Sequence, residues 1–280
     1  MKMNKLYTVI LLAALALPSC DSFLTQENPN AIESEFYFTD ETSLEIYTNG
    51  LIRSFIDGDK NSDTHSWDGQ AAYFMDNYSA EDATNWGTGN WAQLRSINYY
   101  LDNMRKADAS EAILNHYEGV GRFFRAMFYF SKVKTFGAVP YYDHTIDAND
   151  KEALYKDRDN REYVAGKILE DLYYACENCL TDAKYRVRAS YIHKYVALAL
   201  KARFCLYEGT MRKYHVNDPS TGKPWTKDES RMYLEECVKA CEEIINSGVY
   251  SLTDNPSARK TQYRDMFINA DACGTYTNEF

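Results

Sequence analysis

The stretch "GVGRFFRAMFYFSKVKTFGAVPYY", Gly119 to Tyr142, decides the fold. Five phenylalanines fall between positions 123 and 136, interrupted by Arg122, Arg125, Lys132 and Lys134. Wound as a helix, Leu114, Tyr117, Gly121, Phe124 and Phe128 share one face, and Val120, Phe123, Met127 and Phe130 another. A helix apolar nearly all round belongs in the middle of a fold. A helix lying on a membrane would instead gather its charges on one contiguous face, and here they are scattered around the axis. Gly119 and Gly121 suggest the start of a dinucleotide fingerprint, but Phe124 stands where its third glycine is needed and no strand precedes it. The helix is expected to start near Ser110 and to stop at Gly137 and Pro140.

Outward from this segment the same period recurs. "DETSLEIYTNGLIRSFI" opens with Asp40 as an N-cap and carries Leu44, Tyr47, Leu51 and Phe55 on one stripe. "NWAQLRSINYYLDNMRKA" repeats it with Trp91, Leu94, Ile97 and Leu101, which places Trp91 in the core. Further helices are expected at about 160–180, 190–209 and 228–247. The second of these shows a stripe of Ile192, Val196, Ala199 and Leu206, with Ala197, Ala199 and Ala202 admitting a close neighbour. Gly248 stands at the capping position of the last. Helix starts 30 to 38 residues apart lie in the range of helix-pair repeats. The expectation is an all-α fold of stacked antiparallel helix pairs, tetratricopeptide-like, with long irregular loops.

The N-terminus reads as a targeting segment. Lys2 and Lys5 make a basic start, an apolar run of twelve residues follows, and "PSC" supplies a small-residue cleavage context. Residues 1–19 are therefore read as a signal peptide, 20–35 as a lipidated tether beginning at Cys20, and 36–280 as the folded domain. A diacylated Cys20 would anchor the protein to one leaflet without a span. The net charge is −10 over 280 residues, which repels phosphate backbones and excludes nucleic acid as a partner.

Catalytic chemistry finds little footing. The five histidines are dispersed and there is no H-E-x-x-H or G-x-S-x-G. Adjacent carboxylates such as Glu170 and Asp171, Glu235 and Glu236, or Glu242 and Glu243 diverge on a helix and read as solvated faces rather than a glycosidase pair. Cys176 and Cys179 form C-x-x-C inside an expected helix, without a second pair or a thioredoxin context. Cys237 and Cys241 share a helix face, and the cysteines are read as buried thiols or, in an extracytoplasmic setting, a disulfide. No enzyme is indicated. In "DGDKNSDTH", Asp57, Asp59, Asn61 and Asp63 alternate as in a calcium loop, but Ser62 and Asp68 replace its glycine and terminal glutamate. The loop is a poor EF-hand, and no cofactor is expected beyond that weak calcium candidate.

Binding chemistry is better represented. "THSWDGQAAYFMDNYSAEDATNWGTGNW" sets Trp67, Tyr73, Tyr78, Trp86 and Trp91 among Gly, Asn, Asp and Ser. Loops of that composition display side chains. An indole or phenol stacks on the C–H face of a sugar while Asn and Asp take its hydroxyls. The candidate ligand contacts are Trp67, Tyr73, Asp82, Asn85 and Trp86, with Trp225 in "TGKPWTKDE" as a second location. For Trp86, packing between helix ends as part of the core is the competing reading.

"GRFFRAMFYFSKVKTFGAVPYY" resembles the Arg-aromatic helix and Phe/Tyr-Gly-x-Val-Pro turn of the SusD/RagB family. "ILEDLYYA", "SYIHKYVALALKARFCLYEG", "EECVKACEEIINSGVYSL" and "NEF" follow in the family's order, with Cys20 resembling its lipobox cysteine. The resemblance implies a helical lipoprotein on the outer membrane and cell surface, held by its lipid alone. It further implies a protein that captures an oligosaccharide or polysaccharide and passes it to a SusC-like TonB-dependent transporter. It places Trp86, with Asn85 and Asp82, on the glycan platform. Members are about twice as long, so the chain is expected to correspond to an N-terminal portion. The alternative is a helical-repeat adaptor that holds peptide or protein cargo on a concave helix surface.

Overall fold

A computed structural model of the chain describes residues 37–57, 86, 88–147, 149–186, 191–251 and 260–261. The signal segment, Cys20 and the tether lie outside the described residues, as do the loop positions Asp59, Asn61, Asp63, Trp67, Tyr73, Asp82 and Asn85. Among the described residues the structure is helical: α1 Glu41–Asp57, α2 Thr88–Asn103, α3 Glu111–Phe136, a short α4 Lys151–Leu154, α5 Arg161–Asn178, α6 Lys194–Tyr214 and α7 Ser230–Asn246. Two 3-10 turns, Met104–Lys106 and Ala183–Arg186, close the ends of α2 and of the segment after α5. The all-α expectation holds. No described helix is long and apolar enough to cross a membrane.

Caps set the boundaries. The Asp40 carboxylate accepts from the Ser43 N–H at 2.9 Å and Asn160 accepts from the Tyr163 N–H at 2.7 Å, each satisfying a donor that a helix start leaves open. Gly137 ends α3 at φ 69° and Gly248 follows α7 at φ 65°, conformations that a side chain disfavours. The middle expected helix starts at Lys194 rather than near 190 and runs on to Tyr214. Cys179 caps α5 instead of lying within it.

α3 is the hub, as its sequence requires. Phe123, Phe124, Phe128, Tyr129 and Phe130 are all buried, and α1, α2, α5 and α6 pack around them. The two glycines have a packing role in place of a phosphate-binding one. A Cβ on Gly121 would stand 2.7 Å from Leu101 and 2.9 Å from Tyr100 of α2, and one on Gly119 would stand 2.9 Å from Cys179 beyond α5. Both neighbours approach α3 more closely than any side chain permits.

Successive helices run antiparallel. Across α3 and α5, Arg125 meets Asp171 while Arg161 reaches the Val133 carbonyl. Across α5 and α6, Arg161 meets Glu208 while the Tyr173 ring lies under Lys201. Across α6 and α7, Lys201 meets Glu236 while Arg212 meets Glu229. This is the expected stack of antiparallel helices.

Those contacts also correct two expectations. The buried face of α6 is Ala197, Leu198, Lys201, Ala202, Phe204, Cys205, Glu208, Gly209 and Arg212, whereas Leu206 is 52% exposed and Ile192, Val196 and Ala199 are half-buried. The apolar stripe pointed to the wrong face because the inward one carries three charges, each paired. The acidic doublets are likewise not uniformly solvated: Asp171 is 2% exposed and Glu236 8%. Asp171 accepts both arms of Arg125 at 2.7 Å, the two-pronged geometry that makes such pairs strong. Burial alone would raise the Glu236 pKa, but hydrogen bonds from Lys201, Lys239 and Tyr173 outweigh it and hold the carboxyl at about 2. Glu170, Glu235, Glu242 and Glu243 face solvent as expected.

Candidate functional site

The C-terminal end of α3 gathers the candidate groups. Trp86 stands two residues before α2 and its carbonyl accepts from the Trp91 indole N–H at 3.1 Å. Its ring meets Trp91 and Phe136 edge-on, with centroids 5.3 and 4.9 Å away. Trp91 in turn packs on Phe128 at 5.6 Å, so Trp91 belongs to the edge of the core. Trp86 itself is half-buried, held by aromatic edges on its inner side. The guanidinium of Arg158 lies over its ring, 4.5 Å from the centroid. Trp86 thus packs on the core through its inner edge and is otherwise only half-buried.

Arg158 reaches Trp86 because the segment after Gly137 is fastened to the helices beneath it. Asn98 of α2, 1% exposed, donates to the carbonyls of Tyr142 and His144, both at 3.0 Å. Arg125 donates to the Asp143 carbonyl at 2.9 Å and Asp102 accepts from the Thr145 N–H at 2.8 Å. The Tyr129 hydroxyl accepts from the Tyr142 N–H at 2.7 Å. Val139 bridges to Asp159, whose carboxylate accepts from the Tyr141 N–H at 2.7 Å and pairs with Lys156 at 2.7 Å. A connection so pinned presents Arg158 at a fixed place, which a binding surface needs.

Beside this cluster a groove of about 1020 Å³ runs between α1, α2 and α3. Tyr47, Phe55, Gln93, Ser96, Phe128 and Lys132 are among the residues lining it. Lys132 joins the groove to the tryptophans: its ammonium lies 5.4 Å from the Trp91 centroid, 5.2 Å from that of Phe128 and 5.9 Å from that of Phe136. Burial among these rings pushes its pKa down. Aromatic walls, an amide, hydroxyls and the cations Lys132, Lys134 and Arg203 are the composition of a site that stacks a ring and hydrogen-bonds its hydroxyls.

Trp225 lies elsewhere on the same end of the stack. Its indole N–H donates to the His215 carbonyl at 2.7 Å, and the segment between α6 and α7 that carries it is closed by a bridge between Asn217 and Pro224. Ser220 of that segment abuts the end of α3, where a Cβ on Gly137 would fall 2.2 Å from the Ser220 Cβ. Glycine is required there both for its positive φ and for this contact.

Of the sequence candidates, then, the structure places Trp86 and Trp225 at one end of the helical stack. Asp57 is the last residue of α1, and its calcium-loop companions are outside the described residues. Among the described residues no three acidic, histidine or cysteine side chains cluster as metal ligands. Cys176, Cys179, Cys205, Cys237 and Cys241 are free thiols. Burial pushes Cys176 and Cys205 up to about 12, the reverse of a reactive thiolate. Sequence reasoning missed Arg158 and Lys132. Arg158 sits in a segment without periodicity, and only the Trp86 contact distinguishes it. Lys132 interrupts an apolar helix, and that interruption was the available signal.

No family model matches the sequence, and no curated protein does. Solved structures do. A SusD-like protein from Bacteroides fragilis superposes with a TM-score of 0.62 at 23% identity, over 86% of this chain and 44% of its own. A SusD-like carbohydrate binding protein from the same species gives 0.55 at 14% identity, over 79% and 43%. A SusD homolog from Bacteroides thetaiotaomicron gives 0.54 at 18% identity, over 78% and 50%. The fold is therefore SusD-like. The chain spans half or less of the length of each of these structures.

Proposed function

We propose that the protein binds a glycan without turning it over, at the cell surface, and passes it to a SusC-like TonB-dependent transporter in the outer membrane. In this reading residues 1–19 direct export, Cys20 carries the lipid that holds the protein to the membrane, and residues 36–280 form the binding domain. The observation that carries it is Trp86: a half-buried indole fixed by aromatic edges and overlain by Arg158, beside a groove with aromatic and hydroxyl walls, on a SusD-like fold. A sugar ring would stack on the indole and groove aromatics, with Gln93, Ser96 and Arg158 taking hydroxyls. Asp82 and Asn85, close to Trp86 in sequence, would complete the hydroxyl contacts, and Trp67 and Tyr73 would extend the aromatic surface. One neighbouring fold is described as carbohydrate binding, which supports this reading.

The test is native affinity electrophoresis of Asp21–Phe280 through gels holding a panel of polysaccharides, with released sugars assayed. Retardation without products is expected, and Trp86→Ala should weaken it about tenfold, the worth of one stacked ring, with the far-ultraviolet helical signal unchanged. If helix content falls together with binding, Trp86 is a core residue and the site lies elsewhere. Released products would reject the non-catalytic reading.

A further inference from the structure

A second cavity, of about 440 Å³, opens between the end of α6 and the segment leading into α7. Its walls include Trp225, Lys213, His215, Lys227, Arg212 and Asp228. Arg212 is paired with carboxylates behind the wall, which leaves Lys213 and Lys227 against Asp228, a net positive rim on a chain of net charge −10. The volume is in the range of small-ligand sites.

The cavity is built on rigid parts. Arg212 is 5% exposed and donates to Glu208 at 3.0 Å and to Glu229 at 2.9 Å. Its guanidinium lies 5.4 Å from the Trp225 centroid and 4.8 Å from that of Tyr233, so it is wedged between two rings. Glu162 of α5 accepts from the backbone N–H of Thr226 at 3.0 Å and of Lys227 at 3.3 Å, and from the Thr226 hydroxyl at 2.7 Å. Asp218, 6% exposed, accepts from the Ser220 N–H at 2.9 Å and its hydroxyl at 2.7 Å. Trp225 is thereby held in place from both sides of its own segment. Lys213 and Lys227, both exposed, stand beside it.

From the indole, the paired lysines and the fixed segment we infer that this cavity is a second glycan subsite, selective for sugars that carry a carboxylate or sulfate. The ring of an acidic residue stacks on Trp225 while its anionic group lies between Lys213 and Lys227; Arg212, already paired with Glu208 and Glu229, serves to hold the Trp225 ring. The subsite rests on the glycan-binding reading and deepens it. Ser220 of the same segment touches the end of α3 on which Trp86 packs, so both aromatic sites serve one end of the molecule.

Affinity gels of Asp21–Phe280 with polygalacturonate, set beside neutral amylopectin and xyloglucan, test this. Retention on polygalacturonate should fall about tenfold in Trp225→Ala, and also in Lys213→Gln/Lys227→Gln, whose exposed side chains can be changed without loss of folding. It should weaken steeply between 0.05 and 0.5 M salt, as the roughly 14 Å to 4 Å fall in screening length requires. Trp225→Phe should retain most of it. Retention of neutral polymers should be the same in all three variants and should fall only in Trp86→Ala. If neutral polymers are retained and polygalacturonate is not, or if polygalacturonate is retained equally by the lysine variant, the inference is wrong and the broader reading stands. Retention of neither kind overturns both.

Discussion

The two ends of the helical series are held together by different physics. Between α3 and α5, α5 and α6, and α6 and α7, each interface contains a buried charge pair: Arg125 with Asp171, Arg161 with Glu208, which also holds Arg212, and Lys201 with Glu236. Around α1 and α2 the buried contacts are apolar, with a large aromatic share beside Leu44, Leu51, Leu94 and Ile97. Phe38, Tyr47, Tyr99 and Tyr100 form a chain of rings, with Tyr47 stacked on Tyr100 at 5.1 Å and 17°. A buried ion pair is directional, and a helix displaced by one turn would leave both charges unpaired in a medium that penalises them. Ring contacts tolerate small shifts. The charged interfaces therefore fix the register of the stack, and the aromatic end, freer of such constraints, borders the groove.

The sharpest way to break that comparison is Glu208→Ala. Glu208 is fully buried between two arginines, and its removal leaves Arg161 without its carboxylate. A loss of about 3–5 kcal/mol in denaturant unfolding is expected. A loss below about 1 kcal/mol would mean that the pair does not organise the stack.

Acid should attack the aromatic end through His116. Its Nδ1 accepts from the Leu180 N–H at 3.0 Å, its ring packs on Tyr185, and burial pushes its pKa from 6.5 down to about 4, with Lys184 adding to the effect and Glu41 opposing it. Because the folded value is the lower one, the contribution to stability is complete above pH 6.5 and is lost as pH falls towards 4. The loss from this group is on the order of 3 kcal/mol by pH 4. His116→Gln should flatten that part of the stability profile, measured by denaturation between pH 7 and pH 4. An unchanged slope would place the acid sensitivity in another group.

Gly209→Ala probes the closeness of α6 and α7. The new methyl would stand 2.8 Å from the Leu234 Cγ and 3.1 Å from its backbone nitrogen, and a cost of about 1–3 kcal/mol is expected. The smallest effect belongs to Tyr100→Phe. It removes one buried hydrogen bond, to the Tyr117 carbonyl at 3.1 Å, while keeping the ring stack, and should cost about 1 kcal/mol. If it costs as much as Glu208→Ala, the aromatic end is as directional as the charged one and the contrast fails.

How much was legible in the sequence depends on what kind of residue carried each feature. The helix of α3, its start near Ser110 and its stop at Gly137 followed from apolar periodicity and from local chemistry. The faces of α1 and α2 followed as well, with Leu44, Leu51, Leu94 and Ile97 buried where the stripe put them. The face of α6 did not, because Lys201, Glu208 and Arg212 look solvated until their partners on α5 and α7 are in place. Asp171 and Glu236 misled for the same reason.

The candidate site divides along the same line. Composition was enough to single out Trp86 and Trp225, since an indole among Gly, Asn and Thr in a connecting segment is a local feature. Arg158 over Trp86, and Lys132 against three rings, join residues up to 72 positions apart in the chain, and no periodicity relates them.

The amino-acid sequence by itself determined the helical class, the order of the helices and the residues that end them, because these depend on contacts within a few positions. Only the tertiary structure decided which charges are buried, which glycines admit a neighbour and which cations stand beside the tryptophans. Burial of a charge is favourable only when its partner arrives from another helix, and a single sequence does not record that arrival.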